Sequence, residues 1–448
     1  MKEITCLIVL LFTLNSCDTY YFYSSFAIRR ELLWFATLSE QANLDTHAQI
    51  TGTVASFNRF SSPSIIATPA NYLVAIYENR TLSGADLGIY GIDGSKKTEV
   101  TARISKNSSS FNNTVTVGNT KAFNAAMSHG SPVSFLTKEG DIVVLSTAGV
   151  GFVLDGITTN KTKIAVSIST NNGYDWTDWK DLDETVFESL KAYNRFYTTS
   201  GNGKTLRNGT LVCMIDYKTN YEEKAQGAAI LYSTDNGTTW KIGGTLTYSG
   251  NTHRFAKIIA ERTDGKLLIA AVPYTGTNNI DTYKQTGSIA WYLADDLNSP
   301  INTFNVTGPT SGTVKVFEKN SGGVISGDRI KYAYKGRAYD GILLAHSYPE
   351  RKFQRPDGQK TVYNVTAISI SGDDGKTWTM ITNVVGKEGT NKTAFRHSGL
   401  AVFKDGSIGL AYEEGVGPEF IEQQGFIPYY RRFGLSAISG GVYSYEGL

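Results

Sequence analysis

The feature that most constrains this chain is a turn that recurs three times. Ser169-Thr170-Asn171-Asn172-Gly173-Tyr174-Asp175-Trp176, Ser233-Thr234-Asp235-Asn236-Gly237-Thr238-Thr239-Trp240 and Ser371-Gly372-Asp373-Asp374-Gly375-Lys376-Thr377-Trp378 share the pattern Ser-x-Asp-x-Gly-x-Thr-Trp. In the first copy Asn171 replaces the Asp and Asp175 the Thr. The pattern reads as a hairpin turn. The Asp side chain accepts backbone N–H groups across the turn, the Gly permits a positive φ, and the Trp covers a neighbouring hydrophobic layer. The first two copies start 64 residues apart and the last two 138, or two steps of 69. One step back from the first copy, Ser105-Lys106-Asn107-Ser108-Ser109-Ser110-Phe111 reads as an eroded copy. One step forward from the second falls near 302, after the strand-like run 289–293. A repeat of about 66 residues across 45–448 gives about six units, each with room for four short strands. The expectation is an all-β chain folded as a six-bladed β-propeller. Candidate strands at 72–77, 142–146, 162–168, 228–232, 267–272, 365–370 and 408–412 fit it, and no linker divides the region. The 45 glycines and 12% aromatic residues favour strands and turns over helices.

Residues 1–17, Met1 to Cys17, read as a secretory leader. Lys2 supplies the basic start, and an apolar run from Ile4 to Leu14 is too short to anchor in a bilayer. Leu14-Asn15-Ser16-Cys17 resembles the bacterial lipoprotein signal, in which the Cys is cut and lipidated. Cys17 is then the lipidation site, and the expected place is the cell surface or outer membrane of a bacterium, with contact to the membrane through the lipid anchor alone. The aromatic stretch 18–44 reads as a tether, with a short helix expected over 28–40, before the propeller of 45–448. Cys213, inside Leu211-Val212-Cys213-Met214-Ile215, reads as a buried core thiol. With 43 Lys plus Arg against 41 Asp plus Glu, the net charge is +2, which argues against a nucleic-acid partner. Gly201-Asn202-Gly203-Lys204-Thr205 lacks the leading Gly of a phosphate-binding loop and reads as a turn. No residue pattern calls for a metal or a cofactor.

Three such turns in an all-β chain of this length resemble the bacterial sialidase family, whose Asp-box repeats lie on the outer rim of a six-bladed propeller. A sialic acid carries a carboxylate on its anomeric carbon. A site for it needs Arg forks for that carboxylate, an acid to protonate the leaving oxygen, and a neutral nucleophile, which in sialidases is a Tyr. Arg59-Phe60-Ser61-Ser62-Pro63 is similar to the family's Arg-Ile-Pro motif with two residues inserted. Glu78-Asn79-Arg80 follows a hydrophobic strand, and Asp86 comes six residues later. The resemblance implies that Arg59 clamps the carboxylate, Arg80 supports it or the Asp loop, and Asp86 is the general acid/base. In Asp405-Gly406-Ser407-Ile408-Gly409-Leu410-Ala411-Tyr412-Glu413, Glu413 corresponds to the Glu that holds the first Arg, with Glu414 as its competitor. Sialylated glycans or glycoproteins are the implied partners.

The pattern also departs from the family. In Arg396-His397-Ser398-Gly399-Leu400, His397 stands where the nucleophilic Tyr is expected. Ala256 falls at the Tyr's Glu partner, Ala271 or Val272 at the second clamping Arg, and Val362 or Tyr363 at the third. Three accounts are open. The true groups lie nearby: His253 and Arg254, Arg351 or Arg355, and Tyr429 or Tyr430. Or the site is rebuilt, with His397 as nucleophile or base and Arg254 or Arg396 as new cations for a related nonulosonic acid. An unperturbed imidazole, with a pKa of about 6.5, is neutral at pH 7. Or the site is dead and the protein is a glycan-binding surface lipoprotein.

Overall fold

A computed structural model describes residues 45–51, 58–81, 97–106, 110–118, 128–149, 161–219, 225–249, 253–273, 287–311, 314–319, 325–354, 360–384, 393–416 and 427–446. The leader with Cys17, the tether and its expected helix lie outside these residues, as do Asp86 and Arg355. The described chain forms six blade sheets in a six-bladed β-propeller, antiparallel except where the short strand Gly201–Asn202 joins blade II in parallel, and one small two-stranded sheet beside them. Blade I runs outward from Asn58–Ala67 through Leu73–Thr81 and Lys97–Ser105 to Asn113–Thr116. Blade II begins with His129–Leu136, Ile142–Ala148 and Lys163–Ser169. Blade III has Arg195–Thr198, Leu211–Lys218, Gly227–Ser233 and Lys241–Thr247. Blade IV has His253–Glu261, Leu267–Pro273, Ala290–Ala294 and Ile301–Thr303. Blade V has Ser326–Tyr334, Arg337–Gln354, Lys360–Ser371 and Thr379–Val384. Blade VI has Thr393–Val402, Ile408–Val416 and Ile427–Phe433, and its outer edge is the first described strand, Asp45–Gln49. That strand closes the ring, and the Arg431 guanidinium grips Asp45 through two N–H···O bonds of 2.6 and 2.7 Å.

Hydrophobic layers fill the seams between blades, because both faces of each sheet are covered. Second strands such as Ile142–Ala148 and Leu267–Pro273 are therefore buried at every position and do not alternate. Cys213 lies in the seam between blades II and III, 5% exposed, and burial pushes its thiol pKa up. That is the environment expected of a structural thiol.

The three sequence-predicted turns all join the third and fourth strands of their blades. In each, two consecutive residues are left-handed, Asn172-Gly173, Asn236-Gly237 and Asp374-Gly375, which turns the chain sharply within a loop of seven or more residues. Asp235 accepts from Thr239 N–H at 2.8 Å and Thr239 O–H at 2.6 Å, and Asp373 repeats the pattern with Thr377. The indoles of Trp176, Trp240 and Trp378 donate back to the carbonyl of the turn Gly at 2.9, 2.9 and 3.0 Å. Each turn then rests on the second strand of the preceding blade. A Cβ on Gly237 would sit 2.8 Å from the Val143 side chain, and one on Gly375 2.4 Å from Leu268. The turn is thus a wedge into the seam, not an ornament on the rim. In blade IV the corresponding turn falls at 295–300, a few residues before the expected 302, where Asp296 caps the N–H groups of Asn298 and Ser299.

Trp240→Ala should therefore open the seam between blades II and III. The expected loss is about 3–5 kcal/mol, the usual cost of emptying a buried indole site. Thr239→Val, which removes only the hydroxyl bond, should cost about 1 kcal/mol. Urea unfolding of the two variants beside the wild type measures both.

Candidate active site

Every innermost strand runs from one end of the ring, here the mouth, to a hairpin at the other. Near the mouth several of these strands break register. The breaks fall between Ser61 and Ser64 in blade I, Gly130 and Val133 in blade II, Arg254 and Lys257 in blade IV, and Phe395 and Ser398 in blade VI. Left-handed residues mark the same level: Ser62, Ser131 and Ser200, at steps of 69 residues, and Phe255. Such bends re-aim side chains, and their N–H groups leave the ladder and need another acceptor.

The acceptors come from the preceding blade. Glu413 of blade VI takes the N–H of Ser62, and Glu78 of blade I takes that of Ser131. Asp216 of blade III takes that of Phe255 at 2.6 Å and also the hydroxyl of Tyr248 at 2.8 Å. Between blades II and III two threonines do the work: Thr198 N–H donates to Thr147 Oγ1 at 2.9 Å and Thr147 N–H to Thr198 Oγ1 at 3.1 Å. The four acceptors Glu78, Thr147, Asp216 and Glu413 lie seven residues after the left-handed turn residues Asn71, Gly140, Gly209 and Gly406. After Gly265 the same position is Val272, buried and apolar.

Several candidate residues converge at this mouth. Arg59 and Arg80 are cross-strand partners at the mouth end of blade I. Arg396 and His397 lie in the register break of blade VI, whose innermost strand touches that of blade I. Glu413 crosses from blade VI into blade I three residues beyond Arg59, where a residue supporting the first Arg is expected, and its described partner is the Ser62 backbone. Arg254 enters from blade IV, across the ring. It is half-buried, with its guanidinium 4.6 Å from the Phe255 ring centroid, and its charge draws on Asp216.

Other nearby candidates are placed elsewhere. Tyr429 and Tyr430 sit on the third strand of blade VI, buried in the seams on either side of it. Ala256, Ala271 and Val272 are likewise sealed in seams. His253 lies at the mouth of blade IV with Nε2 3.2 Å from the Ser288 carbonyl, and burial lowers its pKa. Sequence reasoning missed the Asp216–Tyr248 pair. It is an acid–phenol pair, but both groups are buried between blades III and IV. Burial pushes Asp216 up to about 6 against the pull of its donors, and Tyr248 is raised further by the adjacent carboxylate. The count of seven from the turn Gly would have found Asp216. Nothing in the sequence points to Tyr248.

The axis is plugged below the mouth. The segment 201–205, expected as a turn, is the bent continuation of blade III's innermost strand, and its two halves pair with blades II and III. Asn202 spans the axis and holds the Ile65 peptide on both sides, Nδ2 to O at 2.7 Å and N to Oδ1 at 3.3 Å. Lys204 donates to the Gly327 carbonyl and lies 3.7 Å from Asp328, and Lys257 donates to the Ser200 carbonyl. A cavity of about 470 Å³ opens at the hairpin end, lined by Leu136, Lys204, Asp328, Val402 and Arg432 among others, and none of the candidates borders it.

Burial, with the neighbouring Lys204 ammonium, lowers the Lys257 pKa from 10.5 to about 7. The unfolded chain binds this proton over that whole window and the folded chain does not. Stability should therefore rise with pH between about 7 and 10, by at most about 1.4 kcal/mol per unit, and gain nothing from this group below 7. In Lys257→Met that part of the slope should vanish, which chemical denaturation at pH 7, 8, 9 and 10 would reveal.

Comparison with known proteins agrees with this architecture. Residues 62–280 match the BNR repeat-like domain. A sialidase of Clostridium perfringens is 26% identical over 270 residues, which cover 58% of this chain and 62% of the relative's length. Among solved structures, the intramolecular trans-sialidase of Ruminococcus gnavus superposes with a TM-score of 0.61 at 15% identity, over 88% of this chain and 99% of that one. The sialidase of Trypanosoma rangeli gives 0.60 at 13% identity, over 90% and 59%. The Hadza microbial sialidase Hz136 gives 0.59 at 16%, over 85% and 66%. The repeat, the propeller and these relatives agree: the chain carries a BNR repeat-like domain and is similar to sialidases in sequence and in fold.

Proposed function

We propose that the protein is an exo-acting glycoside hydrolase that removes terminal sialic acid, or a related nonulosonic acid, from glycoconjugates. The observation that carries this reading is the meeting of blades I and VI at the mouth. Glu413 fixes the bend at Ser62 in the strand that bears Arg59, and the register break with Arg396 and His397 lies on the strand next to it. Arg59, supported by Arg80, would bind the sugar carboxylate, with Arg254 or Arg396 as a second cation. Asp86 would give its proton to the glycosidic oxygen as the bond to the anomeric carbon breaks. His397 would either attack that carbon or take a proton from the attacking water. Attack by the imidazole gives a retained anomer, and attack by water an inverted one.

Purified protein with an aryl sialoside tests the reading. Turnover is expected, with kcat reduced about a hundredfold or more in Asp86→Ala. NMR of the first sugar released assigns its configuration and so the role of His397. The alanines and valine at the expected Glu and Arg positions favour a second reading, a glycan-binding protein without activity. Binding of a sialylated glycan with no turnover would select it.

We further propose a surface lipoprotein, lipidated at Cys17. The described chain enters the ring at Asp45, at the hairpin end of blade VI.

A further inference from the structure

The bend in blade IV differs from the others in the residue that makes it. Ser62, Ser131 and Ser200 are small, but the left-handed residue of blade IV is Phe255, with φ at 53°. A bulky side chain at positive φ is a genuine outlier, and it persists only where its surroundings over-determine it. Here they do. The Phe255 N–H donates to Asp216 Oδ2 at 2.6 Å. The next N–H, that of Ala256, donates to the Tyr248 hydroxyl at 3.2 Å, and that hydroxyl donates to Asp216 Oδ1 at 2.8 Å. Two successive backbone groups thus end on one carboxylate, one directly and one through a phenol. Asp216 is 1% and Tyr248 2% exposed, so neither touches a ligand.

What the bend carries is at the mouth. Arg254 directly precedes Phe255, and the ladder to the second strand breaks after its pairing with Val272. The left-handed turn places the Phe255 ring beside Tyr197, 5.7 Å between centroids, and under the half-buried Arg254 guanidinium, 4.6 Å away. The ring is a shelf for the cation. Its place is set by the two bonds that end on Asp216. The carboxylate also acts on Arg254 through space, since each charge favours the other. A guanidinium already held in place loses little freedom when it closes on a sugar carboxylate. We propose that Asp216 and Tyr248 are positioning residues for Arg254, so that affinity for an acidic sugar depends on a carboxylate that never touches it. This role rests on the acidic-sugar reading of the mouth and adds what aims one of its cations.

The arrangement is sensitive to acid. Burial outweighs the donors and holds the Asp216 pKa at about 6. Around Asp216 stand Tyr197 and Ala228 across the strands, Tyr217 beside it, Tyr248, and Arg254 with His253 from blade IV. Burial raises Tyr217 and Tyr248 and lowers His253, so the phenols stay neutral. Protonation of Asp216 as pH falls through about 6 takes away the negative charge beside Arg254 and weakens the hold on the bend.

The experiment measures aryl sialoside turnover by wild type, Arg254→Ala, Asp216→Asn, Tyr248→Phe and the double variant Asp216→Asn/Arg254→Ala. KM should rise about tenfold in Arg254→Ala, about fivefold in Asp216→Asn and about threefold in Tyr248→Phe, with kcat within about threefold throughout, because only binding is lost. The double variant should match Arg254→Ala within about twofold, since groups that act through one another are not additive. Between about pH 7 and pH 5.5 the wild-type KM should rise about fivefold, and the Asp216→Asn value should stay flat. Additive losses in the double variant, a fall in kcat at constant KM, or a pH response that survives in Asp216→Asn would overturn the positioning role. Tyr248→Phe leaves the carboxylate and the Phe255 bond in place and keeps the test valid if Asp216→Asn fails to fold. If wild type does not cleave the sialoside, the hydrolase reading fails, and Kd for free sialic acid by calorimetry replaces KM in the same cycle. The pattern above then keeps the role, and no binding by wild type, or binding unchanged in Arg254→Ala, ends it.

Discussion

The ring depends on side chains that cross from one blade to the backbone of the next. A propeller's sheets do not share hydrogen bonds along their seams, so packing alone would let neighbouring blades slide. Here the innermost strands bend near the mouth, and each bend frees an N–H. Glu413, Glu78 and Asp216 take those N–H groups for Ser62, Ser131 and Phe255. A left-handed non-glycine residue costs roughly 1–2 kcal/mol, and a hydrogen bond to a charged acceptor contributes about 1.5–3. The bend is therefore held only while the neighbouring blade is in register. That coupling makes the geometry of the mouth a property of the ring and not of any single blade. The seam between blades IV and V lacks the device, with Val272 at the acceptor position and no left-handed residue among the described residues of blade V's innermost strand.

The same logic separates the two ends of the molecule. Asn202 closes the axis by satisfying both polar groups of the Ile65 peptide, and the two lysines beside it find carbonyl acceptors within the plug. The sizeable cavity at the hairpin end belongs to a different compartment, and cavity size is a poor guide to the chemistry here. The cations that could meet an acidic sugar come instead from strand ends and register breaks at the other face.

How much of this was legible in the sequence depends on how local the signal is. The three recurring turns declare themselves in eight residues each, because one Asp or Asn, one Gly and one Trp do the work within a single turn. The six units follow from their spacing, and every candidate strand matches an observed one, two of them starting one residue early. The seam acceptors were not read, because each has its meaning only relative to a turn seven residues earlier and a bend in another blade. Asp216 and Tyr248 are 32 residues apart and meet only through the packing of blades III and IV. The long second strand of blade V is hidden by arithmetic: 138 residues between two turns divide into two equal steps of 69, while the structure gives the extra length to one blade. The segment 201–205 misled in the opposite direction, since glycines that look like a turn permit a strand to bend into the axis.

These constraints bear on which acid can do chemistry. A general acid must carry a proton it can release and must reach the sugar. Glu78, Asp216 and Glu413 are each about 1% exposed and each is committed to a backbone N–H of the next blade. Using any of them for proton transfer would release a bend that shapes the mouth. The Asp216–Tyr248 pair has the right groups for the family's phenol–carboxylate chemistry but no access, and burial there moves both pKa values up, away from a reactive phenolate. The framework thus consumes its own carboxylates in holding shape. On the proposed hydrolase reading these three carboxylates are not the acid, and that role falls to Asp86, in the segment that follows the end of blade I's second strand at Thr81.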